Sequence, residues 1–375
     1  MESHGRNRDR HLSEMHDKVR SCVALISSCP SYIPTPQLTE AAAHQYNEQE
    51  TGTGVPMDAA VVHAIGKPPR CEQFPEPVAR DDEVLVHVHA AALKPVDKQL
   101  AGGSHYARPR EVPFVCGTDG VGHLGDGQRV FFGGCRPPYG AMAQRTVVSK
   151  AFVFPVPDGV NDDVAAALPN PGVSAWLALT FRAKLERGEN VLVLGATGIA
   201  GRLAVRIARL LGAGRVVAAG RNQQSLRSLP ELGADATIRL DASQKELREA
   251  FVREGGKSGF QVVIDYVWGQ PTEAFLSAIT SREFEMISSE ARLVQVGESA
   301  GPTISLPAAV LRSTALTILG TAGIPGRDVL TDALRRIMAY AASGDLRLET
   351  QKIALADIEG VWQNSQSSRR IVVVP

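Results

Sequence analysis

The residues Gly195-Ala-Thr-Gly198-Ile-Ala-Gly201 have the types and spacing to hold a phosphate. An apolar run, Val191-Leu-Val-Leu, precedes them, and Leu203, Ala204, Ile207, Ala208 and Leu211 follow at helical spacing. A strand that turns sharply into a helix needs glycine where the chain doubles back and where a pyrophosphate must approach without a Cβ in the way. The helix start then offers unpaired N–H groups and the positive end of its dipole to an anion. By itself the G-x-x-G-x-x-G spacing is looser than the dinucleotide fingerprint and suits a structural turn equally well. The strand before it, the helix after it and a second strand about twenty residues on point to a dinucleotide, held at Gly195, Thr197, Gly198, Ile199 and Ala200.

The second strand ends Val217-Ala-Ala-Gly220-Arg221-Asn222. A site for NADH places Asp or Glu here to hold the ribose 2′-hydroxyl. No carboxylate is present, and the Arg221 guanidinium is free to pair with a 2′-phosphate. The pattern therefore predicts NADPH in preference to NADH, with Gly220, Arg221 and Asn222 around the adenosine ribose. A merely solvated arginine is the alternative reading of Arg221. Asn170, Asp265, Tyr266 and Gly297 are expected at or beyond strand ends on the same side of the sheet, where ligands of such folds bind.

Two other chemistries compete. Gly297-Glu-Ser299-Ala-Gly301 matches the nucleophile elbow of serine hydrolases, but Pro302 follows where that elbow needs a helix. The last histidine in the chain is His123, so no histidine follows Ser299, as the Ser–acid–His order requires. A short-chain dehydrogenase would start at its glycine loop and carry a Tyr-x-x-x-Lys pair; none occurs here.

The elements that must position these residues divide the chain into unlike parts. Residues 1–56 are rich in His, Arg, Ser, Gln and Glu with little apolar periodicity, and are expected to form a disordered tail. Short β-like runs at 58–63, 83–92, 120–122, 129–132, 141–148 and 152–155, punctuated by glycine and proline, predict a partly barrel-like β domain. After Asn161 come a helix and a second one broken from it at 169–172. Buried strands at 191–195, 215–220, 236–240, 262–266, 293–297 and 316–320 then alternate with amphipathic helices at 199–211, 225–232, 245–254 and 272–280. That alternation predicts an α/β fold with a doubly wound parallel sheet, covered on both faces. A last helix (329–342), a strand near 346–352, a short helix and a strand at 370–374 close the chain.

The whole sequence sets limits on partners. Its 375 residues suit two domains. Lys plus Arg and Asp plus Glu balance at 40 each, which favours neither nucleic acid nor an anionic membrane. No apolar run is long enough to span a bilayer. Five cysteines without a C-x-x-C pair predict a reducing, cytoplasmic setting.

Several segments together resemble the medium-chain dehydrogenase/reductase superfamily, in particular its zinc-free quinone oxidoreductase branch. Ala90-Ala-Ala-Leu93-Lys-Pro95-Val-Asp97 resembles the A-A-G-L-N-P-x-D segment of that branch, and Gly117-Thr-Asp119-Gly-Val-Gly122 its G-x-D-x-x-G segment. Residues 125–130 resemble its G-D-x-V turn. The stretch from Ala165-Ala-Ala-Leu-Pro169 to Trp176 resembles the helix leading into the cofactor domain, and Gly195 to Gly201 its pyrophosphate loop. The resemblance spans residues 57–375. It implies a GroES-like catalytic domain from 57–171 and 322–375 around a Rossmann domain at 172–321.

The resemblance also implies hydride transfer to a quinone, an enone or a related carbonyl. In the zinc-dependent branch a cysteine ligand would fall at Lys94 and a histidine ligand at Thr118; an ammonium has no lone pair and threonine is a poor ligand. His87 and His89 share a strand face, but two ligands make an incomplete site. A zinc-free enzyme is expected. Its proton donor is sought among Lys94, Tyr106 and Tyr139, with Asp97 on the cofactor side of the cleft. Each has a plain alternative: solvation for Lys94, loop packing for Tyr106, a turn after Pro137-Pro138 for Tyr139, and capping of a helix from Lys98 for Asp97. Lys94 departs from the branch's asparagine. A biosynthetic enoyl reductase and a non-catalytic NADPH-binding protein are alternative functions. A homodimer through the strand at 316–320 is expected, because that strand is apolar and last in the sheet.

Overall fold

The last strand before the glycine loop and its five companions form one parallel sheet. The computed structural model describes residues 55–105, 107–280, 290–321, 326–363 and 369–375. The tail expected at 1–56 therefore lies almost wholly outside the described residues, as does Tyr106.

Strands β1 (Met57–Val62), β2 (Arg70–Phe74), β3 (Glu83–Ala92), β4 (Phe114–Val115), β5 (Asp119–His123), β6 (Arg129–Gly133), β7 (Arg145–Ser149) and β8 (Val153–Pro155) come first. They build a three-stranded sheet, β2-β1-β4, and most of a seven-stranded one. The latter is completed by the chain's return in β15 (Thr350–Ala354) and β16 (Arg370–Val374), in the order β15-β16-β3-β5-β6-β8 with β7 also paired to β3. Along β3 the period of two is plain: Val86, Val88 and Ala90 are buried while His87 and His89 are exposed.

The cofactor-type sheet contains β9 (Asn190–Leu194), β10 (Arg215–Gly220), β11 (Ala236–Arg239), β12 (Val262–Asp265), β13 (Ala291–Gln295) and β14 (Leu316–Gly320). Their order is β11-β10-β9-β12-β13-β14, all parallel, which is the doubly wound arrangement expected. Two apolar clusters cover its faces. One is built on Val191, Val193, Ala204 and Ile207, the other on Leu192, Leu194, Phe251 and Phe275, so alternate residues of β9 bury to opposite sides.

Helix α1 (Pro95–Gly102) follows β3, and α2 (Asp162–Ala167) and α3 (Pro169–Leu177) lead into the sheet. Between its strands lie α4 (Ile199–Leu210), α5 (Gln223–Arg227), α6 (Gln244–Gly255), α7 (Gly269–Ile279) and α8 (Ala308–Ser313); α9 (Arg327–Ala342) and α10 (Ile358–Trp362) come after. Three expectations need correction. The break at 169–172 does not interrupt a helix: Pro169 starts α3, a place where a missing N–H costs nothing. The helix expected at 225–232 ends at Arg227, and a separate 3₁₀ turn, Pro230–Leu232, follows. The strand expected near 346–352 begins only at Thr350.

Candidate functional site

Parallel register decides which residues meet. Leu194 pairs with Ala219 on one side and with Asp265 on the other, and Asp265 pairs with Gln295. The residues that follow these four therefore share one edge of the sheet. Gly195, Gly220 with Arg221, Tyr266 and Gly297 all stand there, although they are far apart in sequence.

The glycine loop is built for close approach. Gly195 has φ +86°, which a side chain would disfavour. A Cβ on Gly201 would stand 2.3 Å from the Gly195 carbonyl oxygen, so helix α4 can start only over a glycine. Gly198 is its N-cap and supplies no side-chain cap, leaving first-turn N–H groups without a side-chain acceptor. Thr197, Ile199 and Ala200 are half-buried and Gly198 is exposed, so the loop is reachable. This cradle fits a pyrophosphate.

Gly220, buried, ends β10, and Arg221 is exposed immediately beyond it. Arg221 makes no hydrogen bond or ion pair with any described residue, and the residue after it, Asn222, also exposed, caps α5 by accepting from Ser225 N at 2.9 Å. No carboxylate occupies the end of β10. An anion with negative charge near the ribose suits this corner.

Asp265 and Asn170 differ from what their positions suggested. Asp265 is 0 % exposed, and both oxygens serve its own loop: Oδ1 accepts from Val267 N (2.8 Å) and Trp268 N (2.9 Å), and Oδ2 from Thr272 Oγ1 (2.5 Å). Asn170 is exposed, but it lies in the first turn of α3 rather than at a strand end. Tyr266 is half-buried, yet its hydroxyl is closed off from solvent without a hydrogen-bond partner among the described residues, and burial pushes its pKa above the usual tyrosine range.

Of the four candidates in the other domain, Tyr106 lies outside the described residues, and Lys94, Asp97 and Tyr139 are not a simple donor set. Lys94 is 1 % exposed, not a solvated lysine. Its Nζ donates to Ala92 O and to Asp119 Oδ1, both at 2.9 Å, and lies 3.4 Å from Asp97 Oδ2. Burial would lower the ammonium pKa, but the Asp119 and Asp97 carboxylates outweigh it and hold Lys94 above the ordinary lysine value. Asp97 does not cap a helix from Lys98. It is the third residue of α1, which starts at Pro95, and its oxygens accept from Lys94 N (2.8 Å) and Thr118 N (3.0 Å). Arg370, at the start of β16, completes the cluster with Nη1 on Leu93 O at 3.1 Å. Neither Asp119 nor Arg370 was singled out from the sequence. Asp119 sat inside a quoted motif, but Arg370 is joined to it only by the return of the chain.

Tyr139 packs in an apolar cluster with Met57, Ala59 and Val115, edge-on to Phe74 at 5.9 Å. Its N–H donates to Arg136 O at 2.9 Å, closing the turn around Pro137 and Pro138. His89 Nε2 lies 3.1 Å from His123 Nδ1, and its Nδ1 lies 3.4 Å from Asp162 Oδ2. Among the described residues no group of three or more His, Cys, Asp or Glu is arranged to hold a metal. At Ser299 there is no elbow: residues 302–307 are not helical, and the serine hydroxyl donates to Tyr266 O at 3.2 Å. A pocket of about 500 Å³ bordered by Asp58, Cys71, Lys352 and Leu355 belongs to the β domain and includes none of the sheet-edge residues.

Comparison with known proteins agrees with this geometry. The family profile described as "Zinc-binding dehydrogenase" matches residues 200–339, a stretch that includes neither Lys94 nor Thr118. The bovine protein named "Quinone oxidoreductase-like protein 2" is 30 % identical over 281 residues, 72 % of this chain and 76 % of that one. A protein of Emericella nidulans named as a probable NADPH-dependent quinone reductase is 30 % identical over 221 residues, 56 % of this chain and 61 % of its own. Among solved structures, the quinone oxidoreductase of Thermus thermophilus, described also in complex with NADPH, superposes with a TM-score of 0.71 at 27 % identity. It covers 85 % of this chain and 100 % of its own. The chain belongs to the quinone oxidoreductase-like branch of the medium-chain dehydrogenase/reductase superfamily.

Proposed function

We propose that this protein is an NADPH-dependent reductase of the quinone oxidoreductase type, acting without zinc on a quinone, an enone or a related carbonyl. The observation that carries the cofactor reading is Arg221, exposed beyond β10 beside the bare glycine loop, with no acidic residue at the strand end. The names of the Emericella relative and of the Thermus complex support the same cofactor. Bound NADPH supplies hydride from C4 of its nicotinamide. The chain's part is to bind and orient. Gly195, Thr197, Gly198, Ile199 and Ala200 hold the pyrophosphate, Arg221 pairs with the 2′-phosphate, and Tyr266 and Gly297 line the sheet edge.

The zinc-free reading rests on Lys94. Its ammonium has no lone pair and lies between two carboxylates that would otherwise attract a cation. Since its hydrogen bonds are directed to Ala92 O and Asp119, Lys94 serves as a fixed positive charge between Asp97 and Asp119 rather than as a mobile proton source. NADPH oxidation followed by absorbance across a panel of quinones and enones, with NADH as comparator, tests the function. No turnover with any acceptor, despite tight NADPH binding, would favour a non-catalytic binding protein.

Two copies of the chain pair through β14, on this reading. That strand is bonded to β13 on one side only among the described residues, and no charge or proline interrupts it. Cys71, Cys116 and Cys135 are free thiols, which suits a reducing cytoplasm, and no described helix is long and apolar enough to cross a membrane.

A further inference from the structure

Asp265 is a carboxylate wholly excluded from solvent whose partners are hydrogen-bond donors: two backbone amides and the Thr272 hydroxyl. Burial pushes its pKa up, and the three donors pull it back. Keeping such a group inside a fold is costly unless hydrogen bonds satisfy it, and these donors do so from one short segment. What it holds is a strained bend. Trp268 has φ +56° and ψ −160°, a region that residues other than glycine rarely enter, and Gly269 follows at φ +60°. The Trp268 amide that Asp265 Oδ1 binds belongs to this strained residue, and Thr272 ties the same carboxylate to the first turn of α7.

Both cofactor-side loops lean on this bend. A Cβ on Gly195 would stand 3.0 Å from Val267 Cγ1 and 3.1 Å from Tyr266 Cβ, so the glycine loop rests directly on residues 266–267. From the other side, Ala300 N donates to Val267 O at 2.7 Å, and Gly297 N donates to Asp265 O at 3.1 Å.

We infer that Asp265 is a positioning residue for the cofactor cleft: through the Val267 and Trp268 amides and the Thr272 hydroxyl it holds residues 266–268 against Gly195, and so sets cofactor affinity without touching the cofactor. The inference rests on the reading of the glycine loop as the NADPH site. It predicts a signature distinct from that of Arg221. Arg221 discriminates NADPH from NADH, whereas Asp265 shapes the pyrophosphate loop that both share.

The test uses the full chain, with NADPH and NADH titrated by fluorescence and steady-state kinetics on a quinone. Asp265→Ala raises the Kd for both cofactors about tenfold or more, as loss of charge-assisted bonds implies, while the KM for the quinone stays unchanged. Asp265→Asn, which can still accept from both amides, restores most of the affinity. Trp268→Gly in the Ala background recovers part of it, because glycine reaches the bend without being held there. An unchanged cofactor Kd in Asp265→Ala overturns the inference. So does a general loss of cofactor and quinone affinity that Asn does not rescue. Should Asp265→Ala fail to fold, Thr272→Val removes one of the three donors and decides on the same Kd. A wild-type chain that binds NADH but not NADPH overturns the Arg221 reading and leaves the Asp265 effect measurable with NADH; one that binds neither overturns the cofactor reading and this inference with it.

Discussion

Lys94 Nζ lies 2.9 Å from Asp119 Oδ1, and both side chains are at most 10 % exposed. A buried pair of this kind contributes little when intact, but it is strongly destabilising to break, since the remaining charge is stranded. Two carboxylates depend on this one ammonium, with Arg370 beyond them. Lys94→Met is therefore expected to lower stability by about 3–5 kcal/mol. Denaturant unfolding of the two proteins provides the comparison, and a loss below about 1 kcal/mol would mean that Arg370 alone neutralises the cluster.

The same pair has a pH signature. The folded-state pKa of Lys94 lies above its ordinary value of 10.5. The stabilisation is thus fully present below the unfolded value and is lost as pH rises through the folded one. Melting temperature should fall more steeply above about pH 10.5 in the wild type than in Lys94→Met. Parallel curves for the two proteins would contradict the assignment.

Arg221→Ala should weaken NADPH binding about tenfold, the lower end expected for a charge-assisted bond at an exposed site. NADH binding should hardly change, because it lacks the 2′-phosphate. Equal losses for both cofactors would remove Arg221 from the ribose corner.

Prolonged chelation should leave turnover unchanged, and metal analysis should find no stoichiometric zinc. One tightly held zinc per chain would show that ligands other than Lys94 and Thr118 had been assembled.

The dimer expected at β14 can be probed through the backbone. Neighbouring residues of a strand direct their N–H groups to opposite sides, so one of Thr317 and Ile318 points its donor away from β13. Proline at that position should yield a folded monomer by light scattering, whereas proline at the other damages the sheet itself. Dimers persisting in both folded variants would move the interface elsewhere.

The strands β9, β10 and β12 were legible from the sequence because each is a continuous buried run bounded by turn residues, and buried parallel strands carry that pattern locally. The glycine loop was legible for the same kind of reason: Gly195, Gly198 and Gly201 act on each other within one turn. Arg221 could be read because its meaning lies in the absence of a carboxylate at one strand end. What residues do to partners far along the chain was not legible. Lys94 was read as a candidate proton donor with solvation as its alternative, and only the folding of β3, α1 and β5 together enclosed it between Asp97 and Asp119, where a charge must be paired rather than solvated. Asp265 stood at a strand end where a ligand contact is usual, and only the fold turned its oxygens inward, Oδ1 to the amides of Val267 and Trp268 and Oδ2 to the Thr272 hydroxyl. Sequence determined the elements and the kind of ligand they could hold, since periodicity and turn chemistry are local. Tertiary structure alone decided which polar groups face that ligand, since burial and hydrogen-bond partners are set by packing between distant segments.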